Sequence, residues 1–300
     1  MNMKDRIAKL KEEKRAIILA HNYQPPDIQD VADLTGDSLE LSRQAASTKA
    51  EVILFCGVAF MAETAAILNP DKIVILPRVD AGCPMADMIT PENVIDIKRE
   101  HPDVPIVTYV NSTAAVKAES TVCCTSANSI RIVESFSKAH SVYMAPDQNL
   151  AKYTARHTQK EVLYWHGYCP IHHDLSAQQV RERKAQYPEA MFLAHPECRP
   201  EVLDLADVIQ STSGMLRYVT ESSHGSFIIG TEEGILYPMR RQNPDKHFIP
   251  ASESLICPDM KKTSLDDVVR SLESLRPRIT VPEEIRVRAL SAVERMLAVS

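Results

Sequence analysis

Glycine is scarce in this chain, 8 of 300 residues, well under the about 7% of ordinary usage. The few that occur therefore carry positional information: Gly57 and Gly230 end apolar runs, Gly36 and Gly214 sit beside hydroxyl residues, and Gly82 and Gly167 lie within two residues of a cysteine. A basic excess is also missing. With 34 Lys+Arg against 40 Asp+Glu the formal charge is −6, which argues against a nucleic-acid reader built on a basic surface. Long apolar runs are absent too: Val52 to Cys56 and Ile73 to Leu76 fall far short of the about 18 to 20 residues that span a bilayer. The opening MNMKDRIAKLKEEK is charged and amphipathic with no apolar signal core, so no membrane association and a cytoplasmic location are expected. Finally, the seven cysteines include no C-x2-C pair. An odd number without an export signal reads as reduced thiols or metal ligands rather than a disulfide framework. The remainder, 44% hydrophobic and 25% charged, is a globular composition, long enough for two or three modest domains.

What the chain does contain is an internal repeat. Cys83-Pro84, Cys169-Pro170 and Cys257-Pro258 follow one another at 86 and 88 residues; no other cysteine precedes a proline. The runs AIILA, VPIVTY and AMFLA lead in the same register to His21-Asn22-Tyr23, Tyr109-Val110-Asn111 and His195-Pro196-Glu197, and the segments KIVILP, KEVLYW and KHFIPA open on Lys72, Lys160 and Lys246. Short apolar runs alternating with helical stretches such as SLELSRQAAST and SIRIVESFSKA predict four strands and three helices per unit, in parallel sheets covered on both faces. The fold class expected is α/β: three repeated α/β/α sandwich domains with parallel four-stranded sheets around a pseudo-threefold axis. The expected divisions are 1–88, 89–174 and 175–258, with a helical tail over 259–300 packing on the body.

In parallel α/β units the functional side chains sit at the carboxyl ends of strands. With three such ends turned inward, the Cys-Pro loops meet at one point. Three thiolates there could hold zinc or an iron–sulfur cluster; single, widely separated cysteines suit a cubane held from three sides, and proline keeps each ligand loop from becoming helical. Cys56, Cys123, Cys124 and Cys198 read as core. His21, Tyr23, Tyr109, Asn111, His195 and Glu197 bring imidazole, phenol and carboxylate groups to the first strand ends, suited to moving protons or orienting anions. At the second strand ends, Ser38, Ser126, Ser211 and Thr212 open helices; as N-caps they are ordinary, but converging helix N-termini also favour a small, multiply anionic ligand. His172, three residues after Cys169, is close enough to line the same cavity.

The motifs HNYQ at 21–24, GDSLELSR at 36–43, TYVNS at 108–112, CTSAN at 124–128, HPEC at 195–198, STSGM at 211–215 and CPDMKK at 257–262 resemble those of the quinolinate synthase family over essentially the whole chain. The resemblance implies three α/β domains enclosing a 4Fe-4S cluster, and condensation of iminoaspartate with dihydroxyacetone phosphate to quinolinate, phosphate and water on the way to NAD. Carried across, the cluster ligands are Cys83, Cys169 and Cys257. The catalytic set is His21, Tyr23, Tyr109, His195 and Glu197, and the substrate-facing set adds Ser38, Asn111, Ser126, His172, Ser211 and Thr212. An aspartate oxidase or dehydrogenase would supply iminoaspartate. Some family members carry C-x2-C-x2-C ending at the third ligand; here Ala251 and Ser254 occupy the upstream positions, so a regulatory disulfide there is ruled out. A competing reading is a small-anion binding or sensing protein with a purely structural three-Cys metal.

Overall fold

A computed structural model describes residues 2–299. Three four-stranded parallel sheets follow one another along the chain: β1 Ala16–His21, β2 Leu34–Gly36, β3 Val52–Cys56 and β4 Ile73–Ile75; β5 Ile106–Tyr109, β6 Val122–Cys124, β7 Ser141–Ala145 and β8 Glu161–Tyr164; β9 Met191–Ala194, β10 Val208–Ile209, β11 Ser226–Gly230 and β12 His247–Pro250. Helices connect the strands, so the expected α/β/α repeat is the observed one. The central strand β3 is buried at every position, which explains its unbroken apolar run: with helices on both faces there is no solvent side to alternate toward.

Each sheet has the same order, β2-β1-β3-β4, β6-β5-β7-β8 and β10-β9-β11-β12. The chain leaves β1 toward one edge and then returns across it to β3, so the loops diverge at the carboxyl end of β1, and equally of β5 and β9. A switch of direction there opens a crevice, and this topology is why His21, Tyr109 and His195 stand at the carboxyl ends of those three strands.

Helix starts are written in the local sequence. Asp37 accepts the N–H groups of Leu39 and Glu40 while Glu40 reaches back, a capping box that begins Ser38–Ser47. The second-unit helix is shorter than the pattern SIRIVESFSKA predicts, ending at Ser135. Ser135 Oγ donates to the Ile132 carbonyl at 2.6 Å, a local bond that competes with continuation.

The tail folds back across two units. Helix Leu265–Ser274 packs on helix Met3–Lys14, burying Val268, Val269 and Leu272 in the first unit's core. Helix Glu283–Ala298 lies on helix Ala114–Ala118 and β6 of the second unit. Among the described residues no helix is long and apolar enough to cross a membrane.

Candidate active site

Backbone bonds of one kind hold the three Cys-Pro loops. The N–H groups of Ala59, Gln148 and Glu233, just past β3, β7 and β11, donate to the carbonyls of Ala81, Gly167 and Leu255 at 2.9, 2.8 and 2.9 Å. Each acceptor stands two residues before a cysteine. At Gly167 the approach is so close that a Cβ would lie 2.6 Å from the Pro146 carbonyl oxygen, which requires glycine.

In two units a buried carboxylate strengthens this clamp. Asp147 Oδ2 accepts the Cys169 N–H at 3.1 Å while its Oδ1 accepts from Asn149 and Leu150. Glu232, fully buried, accepts the Cys257 N–H at 3.0 Å on Oε1 and the Gly234 N–H at 2.8 Å on Oε2, and pairs with Lys261 at 2.8 Å. The first unit has Val58 at the corresponding place; its loop is tied instead to the segment just after Cys257-Pro258, Gly82 N–H to Asp259 Oδ1 at 3.1 Å. Glu232→Ala leaves Lys261 and two backbone donors without their partner, and we expect it to destabilise the protein by about 3–5 kcal/mol, read from the urea midpoint at constant slope. A loss below about 1 kcal/mol would mean that the Cys257 loop holds itself.

Cys83, Cys169 and Cys257 line one cavity of about 200 Å³. They are half-buried, whereas Cys56, Cys123, Cys124 and Cys198 are sealed in the core. Proline after each cysteine starts a helical turn whose N–H groups face the sulfur: from Met85 and Ala86 to Cys83, His172 to Cys169, and Asp259 and Met260 to Cys257. Burial pushes all three thiols up, Cys83 to about 12, and charge on one thiolate opposes charge on the next. Unaided, the three are protonated at neutral pH. A metal centre replaces those protons, and a donor set of three sulfurs, each met by backbone N–H groups at a helix start, fits a thiolate-ligated metal or cluster.

Beside the thiols lies an acid–base cluster. Glu197 Oε1 accepts the Tyr109 hydroxyl at 2.5 Å, and Oε2 lies 2.7 Å from His172 Nδ1. His172 also reaches Cys169 Sγ at 3.3 Å and Thr231 Oγ1 at 2.8 Å, and its ring stacks on His195 at 4.6 Å between centroids. The ligand atoms of Cys169, His172 and Glu197 all lie within 4.8 Å of one another. Burial opposes ionisation of Glu197, but His172 and His195 together with the bonds from His172 and Tyr109 outweigh it and hold the carboxyl below its usual range. Burial drives His21 and His195 down to about 3, so both imidazoles are neutral at neutral pH. It also raises the phenols of Tyr23 and Tyr109 well above their ordinary value, an effect the Glu197 charge reinforces.

The same cavity is lined by Ser38, Asn111, Ser126 and Thr212. The Asn111 Oδ1 is buried without a partner, which leaves it open to a bound ligand. Ser211 is the one residue of the expected set that does not line the cavity. It is the N-cap of helix Thr212–Glu221, accepting the Gly214 N–H at 3.3 Å and donating to Asp37 Oδ2 at 3.2 Å. Glu197 does not cap the helix that follows it: helix Pro200–Leu203 has Arg199 at its N-cap and no side-chain cap. The hydroxyl on Glu197 belongs to Tyr109, while Tyr23 OH bonds Thr231 Oγ1 at 2.5 Å. Sequence reasoning missed Asp147, Thr231, Glu232 and Lys261, the last of which ties Glu232 to the Tyr23 carbonyl at 2.6 Å. A signal existed in that Asp147 and Glu232 each stand two residues past the third strand of their unit.

The family model described as NadA, Quinolinate synthetase A protein, matches residues 5–298. The quinolinate synthase of Geotalea uraniireducens (strain Rf4) is 53% identical over 297 residues, covering 99% of this chain and 97% of that protein. That of Dehalococcoides mccartyi (strain CBDB1) is 53% identical over 294 residues, covering 98% and 97%, and that of Methanoregula boonei is 52% identical over 296 residues, covering 99% and 98%. Similarity from end to end, carried by a chain whose repeated motifs converge on one cavity, means that this protein belongs to the quinolinate synthase family.

Proposed function

We propose that the central cavity condenses iminoaspartate with dihydroxyacetone phosphate to give quinolinate, phosphate and water, on a 4Fe-4S cluster held by Cys83, Cys169 and Cys257. The units delimited as 1–88, 89–174 and 175–258 would each supply one ligand. The observation that carries this reading is the meeting of three Cys-Pro thiols on the cavity that also holds the Glu197–Tyr109–His172 cluster. When bound, the cluster supplies a Lewis acid at its open iron, suited to polarising a leaving hydroxyl.

The chain's own residues do the rest. Glu197 is ionised at neutral pH and accepts protons; an anionic substrate beside it raises its basicity by adding like charge. Tyr109 and His172 hold the carboxylate in place and return protons through their O–H and N–H. Tyr23, a protonated phenol, donates a hydrogen bond, and the neutral rings of His21 and His195 offer one donor and one acceptor nitrogen each. Ser38 and Thr212 begin their helices, so carboxylate or phosphate oxygens meet hydroxyls and backbone donors together. Enclosure by the three units keeps bulk water from the imine.

The test is anaerobic. The reconstituted protein, given dihydroxyacetone phosphate with oxaloacetate and ammonia as the source of iminoaspartate, should form quinolinate, detected by chromatography and mass. Binding of dihydroxyacetone phosphate without any quinolinate would return the protein to the small-anion binding reading.

A further inference from the structure

A second cavity, of about 390 Å³, adjoins the first and shares Asp37 and Ser126 with it as lining. Three arginines line it: Arg43, Arg131 and Arg217. They stand 88 and 86 residues apart, the register of the cysteine loops, so each unit contributes one. Each lies on the helix that follows its unit's second strand, Ser38–Ser47, Ser129–Ser135 and Thr212–Glu221, and all three are exposed.

Elsewhere on this surface Arg15, Arg78, Arg156, Arg241 and Arg288 pair with carboxylates. Among the described residues none of the three vestibule guanidiniums does so. The two acids that share the vestibule are already engaged. Asp37 accepts from the N–H groups of Leu39 and Glu40 and from the Ser211 hydroxyl, and Glu40 accepts from Ser213 and from the Asp37 N–H. A chain of net charge −6 thus gathers at one opening three guanidiniums outside any ion pair, against the two carboxylates of Asp37 and Glu40. Ser126 lines both cavities, whereas of the two Ser38 and Thr212 line only the central one.

From this we infer that Arg43, Arg131 and Arg217 form an anion-collecting vestibule, through which the doubly charged dihydroxyacetone phosphate is drawn to the central cavity. The inference rests on the functional reading above. A cleft in which one sign of charge predominates, here three guanidiniums over two carboxylates, concentrates opposite charge at its mouth, and guanidinium suits phosphate geometry. The attraction is long-ranged and exposed, so salt screens it; the Debye length is about 10 Å at 0.1 M ionic strength. Chemistry takes place beyond the vestibule, so its charge acts on substrate binding and not on turnover at saturation.

The test uses the reconstituted full chain, with Arg43→Gln, Arg131→Gln and Arg217→Gln. Arg181→Gln serves as the control, an exposed residue on helix Ala177–Gln186 away from both cavities. Dihydroxyacetone phosphate binding is measured by calorimetry, and KM and kcat by quinolinate formation, at low and at high ionic strength. At low salt each vestibule variant should weaken Kd and raise KM by about 3- to 10-fold, with kcat within about twofold of the parent. At high salt parent and variants should converge, and Arg181→Gln should match the parent throughout. Vestibule variants indistinguishable from Arg181→Gln, in a parent that makes quinolinate, would overturn the inference and leave the functional reading standing. A fall in kcat with unchanged KM would overturn it equally. A parent that binds dihydroxyacetone phosphate with arginine-dependent, salt-sensitive affinity but makes no quinolinate would keep the vestibule and remove the catalytic reading.

Discussion

Cys83→Ala, Cys169→Ala and Cys257→Ala are each expected to abolish cluster binding and quinolinate formation. Cys123→Ala should retain both. The four substitutions remove the same sulfur, so the difference lies in where it points. Cys123 is sealed within β6, and its loss leaves a small void costing about 1 kcal/mol. The other three are half-buried on the cavity wall, each at the start of a helical turn whose N–H groups face the sulfur. Removing one leaves two ligands for the cluster. Circular dichroism of the cluster-free variants separates ligand loss from misfolding, since alanine at these half-buried sites removes little packing. Visible absorbance persisting in Cys169→Ala, or bleaching in Cys123→Ala, would break the equivalence of the three loops.

Glu197→Gln carries the second large effect. The amide keeps the size and one acceptor, so the Tyr109 hydroxyl or His172 Nδ1 retains a partner, and fold and cluster content should survive. What it loses is the ability to take a proton. Turnover should fall by about 10²- to 10⁴-fold, the range for a missing general base, with KM for dihydroxyacetone phosphate little changed. Glu197 binds Tyr109 and His172 rather than capping the short helix after it, so a helix-stability effect does not compete as an explanation. Turnover within a factor of about two of the parent would make the residue structural.

Much of this was legible in the sequence because the repeat multiplies each signal. A single Cys-Pro says little; three in one register, with His21, Tyr109 and His195 in the same register, say where the strand ends lie and that they converge. The runs AIILA, VPIVTY and AMFLA locate β1, β5 and β9, since buried β-runs read as unbroken apolar segments. Other features needed coordinates. Asp147 and Glu232 escape the register because they are 85 residues apart, differ in type, and correspond to Val58 in the first unit. Ser211 and Thr212 are adjacent in sequence, and only the turn of the helix start decides that Thr212 lines the cavity while Ser211 caps from behind. Tyr23 and Tyr109 follow equivalent strands, but side-chain direction gives Glu197 to Tyr109 and Thr231 to Tyr23. The arginines at 43, 131 and 217 share the register yet look like ordinary solvated helix positions until one cavity is seen to hold all three.

Whether one cluster is held by the three Cys-Pro loops is decided by metal and sulfide analysis with visible and Mössbauer spectroscopy of the protein purified and reconstituted without oxygen. A brown protein with about four iron and four sulfide per chain, one iron distinct from the other three, is the expected result. A colourless protein holding a single zinc, with no sulfide after reconstitution, would contradict it.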